Sequence, residues 1–262
     1  MVDLNISQHY RSDEIPFLES ITDLVGRSQN EYRPILTGFL NPRQQYIANA
    51  IVNGDDSVSL KLFGGFTSAE MKRGLIYPSY FEPADKDFNI VAYSIDYPVK
   101  FAELTHGSVL GSILGSGINR DILGDIISDG TNWQFVCEQE MASYVQTQVV
   151  KIGRVKVKLI PIDLDKLVVP IDDSEEVTTT VASLRIDALV SEGFHISRHH
   201  AKHLIETGLI RLNWEEIDRP DVEAGQADII SVRGFGRIVI KEIAGKTKKD
   251  KIRIIISLIN SN

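Results

Sequence analysis

The amino-acid sequence predicts an α+β protein built from three parts, and three observations lead to this prediction. The 262 residues exceed the usual length of a single domain. Residues 88–160 show strand and helix patterns in the order βαββαβ, and residues 184–237 read as two short helices followed by short strands. We therefore expect an N-terminal α/β module over 1–80, a middle domain over 81–162, a linker over 163–181 and a C-terminal domain over 182–262.

Composition places the chain among ordinary globular proteins. Hydrophobic residues make up 43% and charged residues 24% of the sequence, which provides apolar material for sizeable cores. No run of about 18 apolar residues is present, so we expect no membrane span, and the N-terminus lacks the layout of a signal peptide. Cys137 is the single cysteine, which excludes an internal disulfide and favours a reducing compartment, so we expect a cytoplasmic protein.

The net charge of −8 is unevenly distributed along the chain. Residues 1–150 contain 10 Lys and Arg against 19 Asp and Glu, a net of −9, whereas residues 151–262 contain 18 against 17, a net of +1. Basic residues gather near the C-terminus, at Lys246, Lys248, Lys249, Lys251 and Arg253. Because a local basic face decides phosphate binding, the acidity of the first half does not exclude a nucleic-acid partner for the second.

The first 80 residues predict a small α/β module. Apolar side chains at helical spacing over 17–25 predict one helix, and Asn41 opens a second. Alternating side chains over 57–63 predict a strand. Thr67, with Glu70 three residues later, predicts the capping box of a short helix.

The middle domain predicts a ferredoxin-like sheet, the arrangement that RNA-recognition motifs share. The aromatic signature of those motifs is missing. Trp133 and Phe135 alternate on one strand and are able to stack on bases, although aromatics at this spacing belong more often to a core. The predicted strands are 88–97, 123–128, 133–138 and 154–160, and the predicted helices lie around 109–114 and 140–149.

The sequence of the C-terminal domain predicts two short helices beside a small sheet, a compact surface suited to phosphates. A first helix begins near Leu184, and we expect Gly193 to end it in the left-handed conformation. Ser197 caps a second helix, which Gly208 stops. A final strand over 251–258 follows from alternating isoleucines.

This stretch resembles the S4 RNA-binding domain. The matching residues are Arg185, Asp187, Leu189, Gly193, Ser197, Arg198, Ala201, Leu204, Ile205, Gly208, Asn213, Arg233, Gly234, Gly236 and Arg237. Trp214 stands where the pattern has Gly, and Ala227-Asp228 replaces Gly-Asp. The resemblance implies RNA binding through Arg185, Ser197, Arg198, Lys202, Asn213, Arg233 and Arg237.

The middle of the chain resembles the bacterial YlmH-like proteins, which carry a C-terminal S4 domain. The matching residues are His106, Leu110, Gly111, Gly117, Ile118, Arg120, Gly124 and Asp125, whereas Gly107-Ser108 departs from the family's Arg-Asp. The resemblance implies binding to rRNA and tRNA on the large ribosomal subunit, support for the rescue of stalled nascent chains, and a link to cell division. His106 and Arg120 become candidates for a secondary RNA contact.

Other functions find less support in the sequence. No catalytic residue set has a recognisable local frame, so we expect neither an enzyme nor a cofactor or small-molecule substrate. His199 and His203 are four residues apart, but no third ligand stands at the spacing typical of zinc, and we expect no metal. Two alternatives stay open. One is an RNA-modifying enzyme of the kind that carries an S4 domain (a pseudouridine synthase or methyltransferase), acting around His106, Arg120 and Asp125. The other is an adaptor for cell-division proteins.

Overall fold

A computed structural model describes residues 10–168 and 174–260. The chain forms two compact units, Met1–Ile171 and Asp172–Asn262. Both units mix helices with sheets, and the strand pairs described in them are antiparallel. No helix in the described ranges is long and apolar enough to cross a membrane.

The first unit begins with two helices and a three-stranded sheet. Their bounds are α1 Ile15–Glu31, β1 Ile35–Leu40, α2 Pro42–Val52, β2 Val58–Phe63 and β3 Lys72–Pro78. The sheet has the order β1-β3-β2. Ile21 of α1 clusters with Leu40 of β1 and Ala48 of α2, so both helices share an apolar core with the sheet.

The short helix predicted at Thr67–Glu70 is wrong, because these residues form turns. The sequence analysis also missed β3, the central strand, which begins at Lys72 and pairs with both β1 and β2. An extended strand that starts so soon leaves about four residues for the predicted helix. That length is too short for a helix nucleus, which fixes several residues for its first hydrogen bond.

The remainder of the first unit contains a four-stranded sheet. The elements are β4 Ile90–Asp96, α3 His106–Gly115, β5 Leu123–Ser128, β6 Trp133–Glu138, α4 Ala142–Gln148, β7 Lys151–Ile152, β8 Val155–Lys156 and β9 Lys158–Ile162. The sheet has the order β5-β6-β4-β9. The strand predicted over 154–160 is confirmed only in its second half, where β9 begins, since residues 151–156 form a separate hairpin around Gly153, whose φ is +56°.

Buried contacts join the two sheets of the first unit. Arg73 of β3 is 5% exposed, donates from Nε to the carbonyl of Thr37 at 2.9 Å, and forms an ion pair with Glu138 of β6 at 3.3 Å. Gly124 of β5 lies against the ring of Phe39, where a Cβ would come within 2.7 Å of Cε1. The two sheets therefore belong to one folded unit.

The second unit packs two helices against a six-stranded sheet. Its elements are β10 Glu175–Val181, α5 Ile186–Gly193, α6 Arg198–Glu206, β11 Ile210–Leu212, β12 Glu215–Glu216, β13 Ile229–Val232, β14 Gly236–Lys246 and β15 Ile252–Asn260. The sheet has the order β10-β15-β14-β13-β11-β12. Leu189 of α5, Ile205 of α6 and Ile256 of β15 are each 1% exposed or less and belong to one core.

The segment predicted as a linker, 163–181, supplies a strand to the second unit. Strand β10 pairs with β15 from Glu175 against Leu258 to Val181 against Ile252. Val181 of this strand is 3% exposed and belongs to the apolar core of the second unit. Residues 169–173 of the predicted linker lie outside the described ranges.

Gly193 ends α5, but not in the predicted left-handed conformation. It is the last helical residue, and the positive φ of 52° occurs two residues later at His195. Gly193 is instead required by packing, because a Cβ at this position would lie 2.7 Å from Cδ1 of Ile238. Close approach of α5 to the sheet explains the glycine.

Candidate nucleic-acid interface

Helix α6 begins at an exposed and capped end. The Ser197 hydroxyl accepts the backbone N–H of His200 at 3.1 Å, as the sequence predicts for an N-cap. A helix N-terminus carries a partial positive charge, and its first-turn N–H groups suit phosphate oxygens. The exposed side chains of the helix include Arg198, His199, His200, Lys202 and His203. Polar and basic groups therefore surround an end that favours anions.

A buried carboxylate holds two of the predicted RNA-binding arginines. Asp187 is fully buried, and its oxygens accept from Arg185 at 3.1 and 3.2 Å and from Arg198 at 3.0 Å each. Burial opposes ionisation of Asp187, but hydrogen bonds from both arginines outweigh it and lower the pKa below its ordinary value. The hydrogen bond to Asp187 likewise raises the pKa of Arg185.

The two guanidinium groups keep surface for a ligand. The Arg185 side chain is 33% exposed and the Arg198 side chain 50% exposed. An arginine has five N–H donors, and Arg198 spends one terminal nitrogen on Asp187 in these bonds. The three residues together carry one net positive charge. Asp187 thus fixes the position of cationic groups whose outer edges face solvent.

The turn between β13 and β14 packs against the start of α6. Phe235 lies edge-on to His200, with ring centroids 5.9 Å apart, and 5.7 Å from the ring of Phe194. Gly236 has a φ of +138°, and a Cβ there would come within 1.9 Å of the carbonyl oxygen of Ile259, so only glycine fits. Arg233, two residues before Phe235 in the same turn, is exposed. Sequence reasoning missed this role of Phe235 and His200.

Arg237 and Asn213 lie elsewhere on the same sheet. Arg237 is half-buried on β14 and pairs in register with Ser231. The Asn213 amide donates to Asp228 at 2.7 Å and accepts the N–H of Ile229 at 3.0 Å. Its side chain therefore holds the hairpin between β11 and β12 to the start of β13.

The two departures from the S4 pattern leave non-glycine residues in left-handed turns. Trp214 has a φ of 71° and follows Asn213 at 48°, which are the signs expected for a two-residue hairpin turn. Ala227 has a φ of 66° and donates its N–H to the carbonyl of Ile240 at 2.8 Å. The turn geometry thus survives without the glycines.

The two predicted secondary contact residues flank α3 in the sequence. His106 is the first residue of this helix and is exposed. Arg120 follows its C-terminus, is half-buried, and donates to the carbonyl of Leu123. Burial lowers the pKa of Arg120.

Asp125 joins the two sheets of the first unit. Its oxygens accept the backbone N–H groups of Glu70 at 2.6 Å and Met71 at 3.0 Å. Burial raises the pKa of Asp125 to about 6, against the lowering effect of these two hydrogen bonds. Its hydrogen bonds give the carboxylate a structural role at the turn that precedes β3.

The remaining candidates have structural surroundings. Phe135 is fully buried and lies 5.6 Å from the ring of Tyr93, which confirms that it belongs to the core. Trp133 is half-buried against the same core. Across residues 10–168 and 174–260, no three His, Cys, Asp or Glu side chains are grouped in a way that would hold a metal.

Comparison with known proteins identifies two matching families. Residues 83–166 match a family described as the putative RNA-binding domain in YlmH. Residues 184–230 match the S4 domain. The second match ends before β14 begins, so the whole β14–β15 hairpin lies beyond it.

Two similar proteins have names that bear on function. The ribosome-associated protein quality control protein P2 of Bacillus subtilis (strain 168) is 38% identical over 250 residues, which cover 95% of this chain and 97% of that protein. A solved structure, the cell division protein ylmH from Streptococcus pneumoniae, is 31% identical with a TM-score of 0.54, and the match covers 62% of this chain and 98% of that one.

Proposed function

Because this chain belongs to the YlmH family and carries the family's RNA-binding domain and an S4 domain, we propose that it docks on structured RNA of the large ribosomal subunit. The RNA would be rRNA, tRNA or both, and the task would be quality control of stalled nascent chains. The name of the Bacillus subtilis relative supports this task. The proposal places the protein on cytoplasmic ribosomes.

The observation that carries the proposal is the pair of arginines fixed by Asp187. Side chains whose positions are set in advance lose less entropy when they bind, and arginine forks match phosphate oxygens bidentately. The N-terminus of α6 lies beside them and also favours anions. Lys202 and Arg233 are exposed and would widen the same surface. Such an arrangement reads the shape of a folded RNA through its backbone, since fixed donors fit only one spacing of phosphates.

The other predicted residues take supporting roles in the proposal. Asn213 would act by holding its hairpin in place, and Arg237 by its charge near the start of β14. His106 would remain a secondary contact at the exposed start of α3. We also infer a ferredoxin-like, RRM-like middle domain over 81–162, supported by the sheet order β5-β6-β4-β9. The N-terminal module of 1–80 would then be a distinct domain that is packed against it.

A binding role is favoured over catalysis. Asp125 and Arg120, two residues of the alternative enzyme site, hydrogen bond to backbone groups of the fold. The relative's name describes a quality-control protein and not an enzyme. A link to cell division is a second candidate role, which the name of the Streptococcus pneumoniae relative supports.

The test is binding to purified large ribosomal subunits. We expect Lys202→Glu with Arg233→Glu to weaken binding at least 10-fold, since each reversal replaces a phosphate contact by a repulsion. These residues are exposed, whereas Arg198→Glu would place a second carboxylate beside Asp187 and disturb the fold. The control is Glu19→Lys, a charge reversal at an exposed position of α1. Unchanged binding by the double variant would contradict the assignment of the surface.

A further inference from the structure

Positive charge in the second unit is concentrated outside the stretch that matches the S4 family. Residues 184–230 contain five Lys and Arg against nine Asp and Glu, a net of −4. Residues 236–260, the two strands β14 and β15 with their connection, contain seven Lys and Arg against two Asp and Glu, a net of +5. Phosphate affinity depends on local cationic groups, and most of those in this unit belong to the hairpin.

The tip of this hairpin is an ordered turn. Thr247 donates its N–H to the carbonyl of Lys251 at 2.7 Å, and its hydroxyl accepts the N–H of Lys251 at 3.1 Å. Asp250 adopts a φ of 57° and donates its N–H to the carbonyl of Thr247 at 3.0 Å. These hydrogen bonds fix the backbone of the turn that carries the lysines.

Three lysines at the tip are exposed, and the structure describes no ion pair for them. Lys246 forms an exposed ion pair with Asp250 at 2.9 Å. Lys248, Lys249 and Lys251 are exposed, and in the described ranges none of them forms an ion pair with a carboxylate. Because Asp250 is engaged by Lys246, the tip displays three cationic groups within four consecutive residues.

The tip is far from the α6 surface. Gly236, at the start of β14, adjoins Phe235, whose ring contacts His200 of α6. The tip follows Lys246, the other end of the same strand. Ten residue steps of about 3.3 Å give roughly 30 Å between the two ends, allowing for the bulges in β14. A phosphate bound at α6 is therefore out of reach of the tip lysines.

We propose that the tip of the β14–β15 hairpin, through Lys248, Lys249 and Lys251, is a second RNA-binding site, which contacts the phosphate backbone of a different segment of the RNA held at the α6 surface. The proposal rests on the RNA-binding function proposed above. Two contacts on one rigid unit bind more tightly than either alone, because the second forms at high effective concentration. They also select RNA in which two backbones lie at the matching separation.

The first experiment measures binding to purified large ribosomal subunits as a function of KCl concentration. For Lys248→Gln/Lys249→Gln/Lys251→Gln in the full chain we expect binding about 10- to 100-fold weaker near 0.1 M salt, with the salt slope reduced by about 2. The matched control, Lys248→Arg/Lys249→Arg/Lys251→Arg, keeps the charge and should bind like the unchanged protein. Thermal unfolding verifies that each variant is folded.

The outcomes separate this proposal from the general function. If the glutamine variant binds normally while Lys202→Glu/Arg233→Glu does not, the second site is overturned and the proposed function stands. If neither variant weakens binding, the proposed function fails as well. Exposed lysines at the end of a sheet also oppose association between sheets. A glutamine variant that oligomerises yet binds with unchanged affinity would assign them that role and overturn the proposal.

A second experiment locates the tip on the RNA. A hydroxyl-radical source is tethered through Lys249→Cys, and in a parallel sample through His199→Cys on α6. The natural cysteine does not compete, because Cys137 is fully buried and burial raises its thiol pKa to about 12. We expect cleavage of rRNA or tRNA at two separate positions. Cleavage from position 199 alone, with position 249 no stronger than a Glu19→Cys control, would refute the second contact.

Discussion

Asp187 is the residue on which the proposed RNA surface depends most. It makes no contact with RNA in our proposal, yet it fixes both Arg185 and Arg198 from a fully buried position. Arg185 lies two residues from Asp187 in the sequence, so their ion pair is a local contact. The contact with Arg198 spans eleven residues and crosses the turn between α5 and α6, so it becomes evident only once the helices are packed.

We expect Asp187→Asn to destabilise the second unit by about 2–3 kcal/mol near neutral pH, because it breaks two hydrogen-bonded ion pairs of a buried group. The lowered pKa gives this contribution a defined pH dependence. It is fully present above the unfolded value of about 3.9 and is lost as pH falls through the lower folded value. Urea unfolding at pH 7 and pH 3 measures it, with the exposed Asp221→Asn as control. An equal difference at both pH values would contradict the ion-pair explanation.

Ala227 offers a stabilising substitution. Its φ of 66° costs an L-residue about 1–2 kcal/mol, whereas glycine costs about 0.4–1 kcal/mol through the unfolded chain. We therefore expect Ala227→Gly to raise the free energy of unfolding by about 0.5–1 kcal/mol. Chemical denaturation measures the change. Ala182→Gly, at a position without positive φ, should give no gain, and a loss of stability at 227 would show that the methyl group packs favourably.

At the scale of elements, the sequence predicted best what is determined locally. The predicted starts of α2 and α6 are confirmed: the side chains of Asn41 and Ser197 accept N–H groups three residues ahead. Strand β3 escaped prediction because its identity comes from two distant partners, β1 and β2. The predicted helix at 67–70 failed for the same reason, since a local cap signal cannot outweigh the pairing of the next strand.

The candidate site was predictable to a similar degree. The S4 pattern located the helix pair, the N-cap and the basic residues, which the structure places in one unit. It did not distinguish residues that face solvent from those that hold the fold. Asn213 is engaged by Asp228 and Ile229, and such side-chain partners depend on packing between strands that no spacing rule reports.

The turn before β3 should respond to pH through Asp125. Because its folded pKa of about 6 lies above the unfolded value of 3.8, the folded state binds the proton more tightly. Stability of the first unit should thus decrease by on the order of 2–3 kcal/mol as pH rises from 4 to 7. Asp125→Asn should remove this dependence and lower the melting temperature throughout, since an amide NH₂ would then face a backbone N–H. A carbon-detected NMR titration that places the carboxyl near pKa 4 would contradict this expectation.

At the scale of the whole molecule, the chain consists of two units that each have a core. We expect calorimetry to show two unfolding transitions, and Asp172–Asn262 produced alone to fold and to bind large ribosomal subunits in a salt-dependent manner. Met1–Ile171 produced alone should fold as well. A single cooperative transition, or an unfolded C-terminal fragment, would contradict the division into independent units.

The buried contacts of Arg73 and Asp125 also affect which segments of the chain can be exchanged by recombination during evolution. A recombination point between the units leaves both cores intact, so the C-terminal unit is free to be transferred to other proteins by gene fusion. A recombination point near residue 80 would instead separate Arg73 from its partner Glu138, and the backbone N–H groups of residues 70–71 from Asp125. The N-terminal module and the middle sheet are therefore expected to be inherited together, with compensating substitutions across their shared boundary.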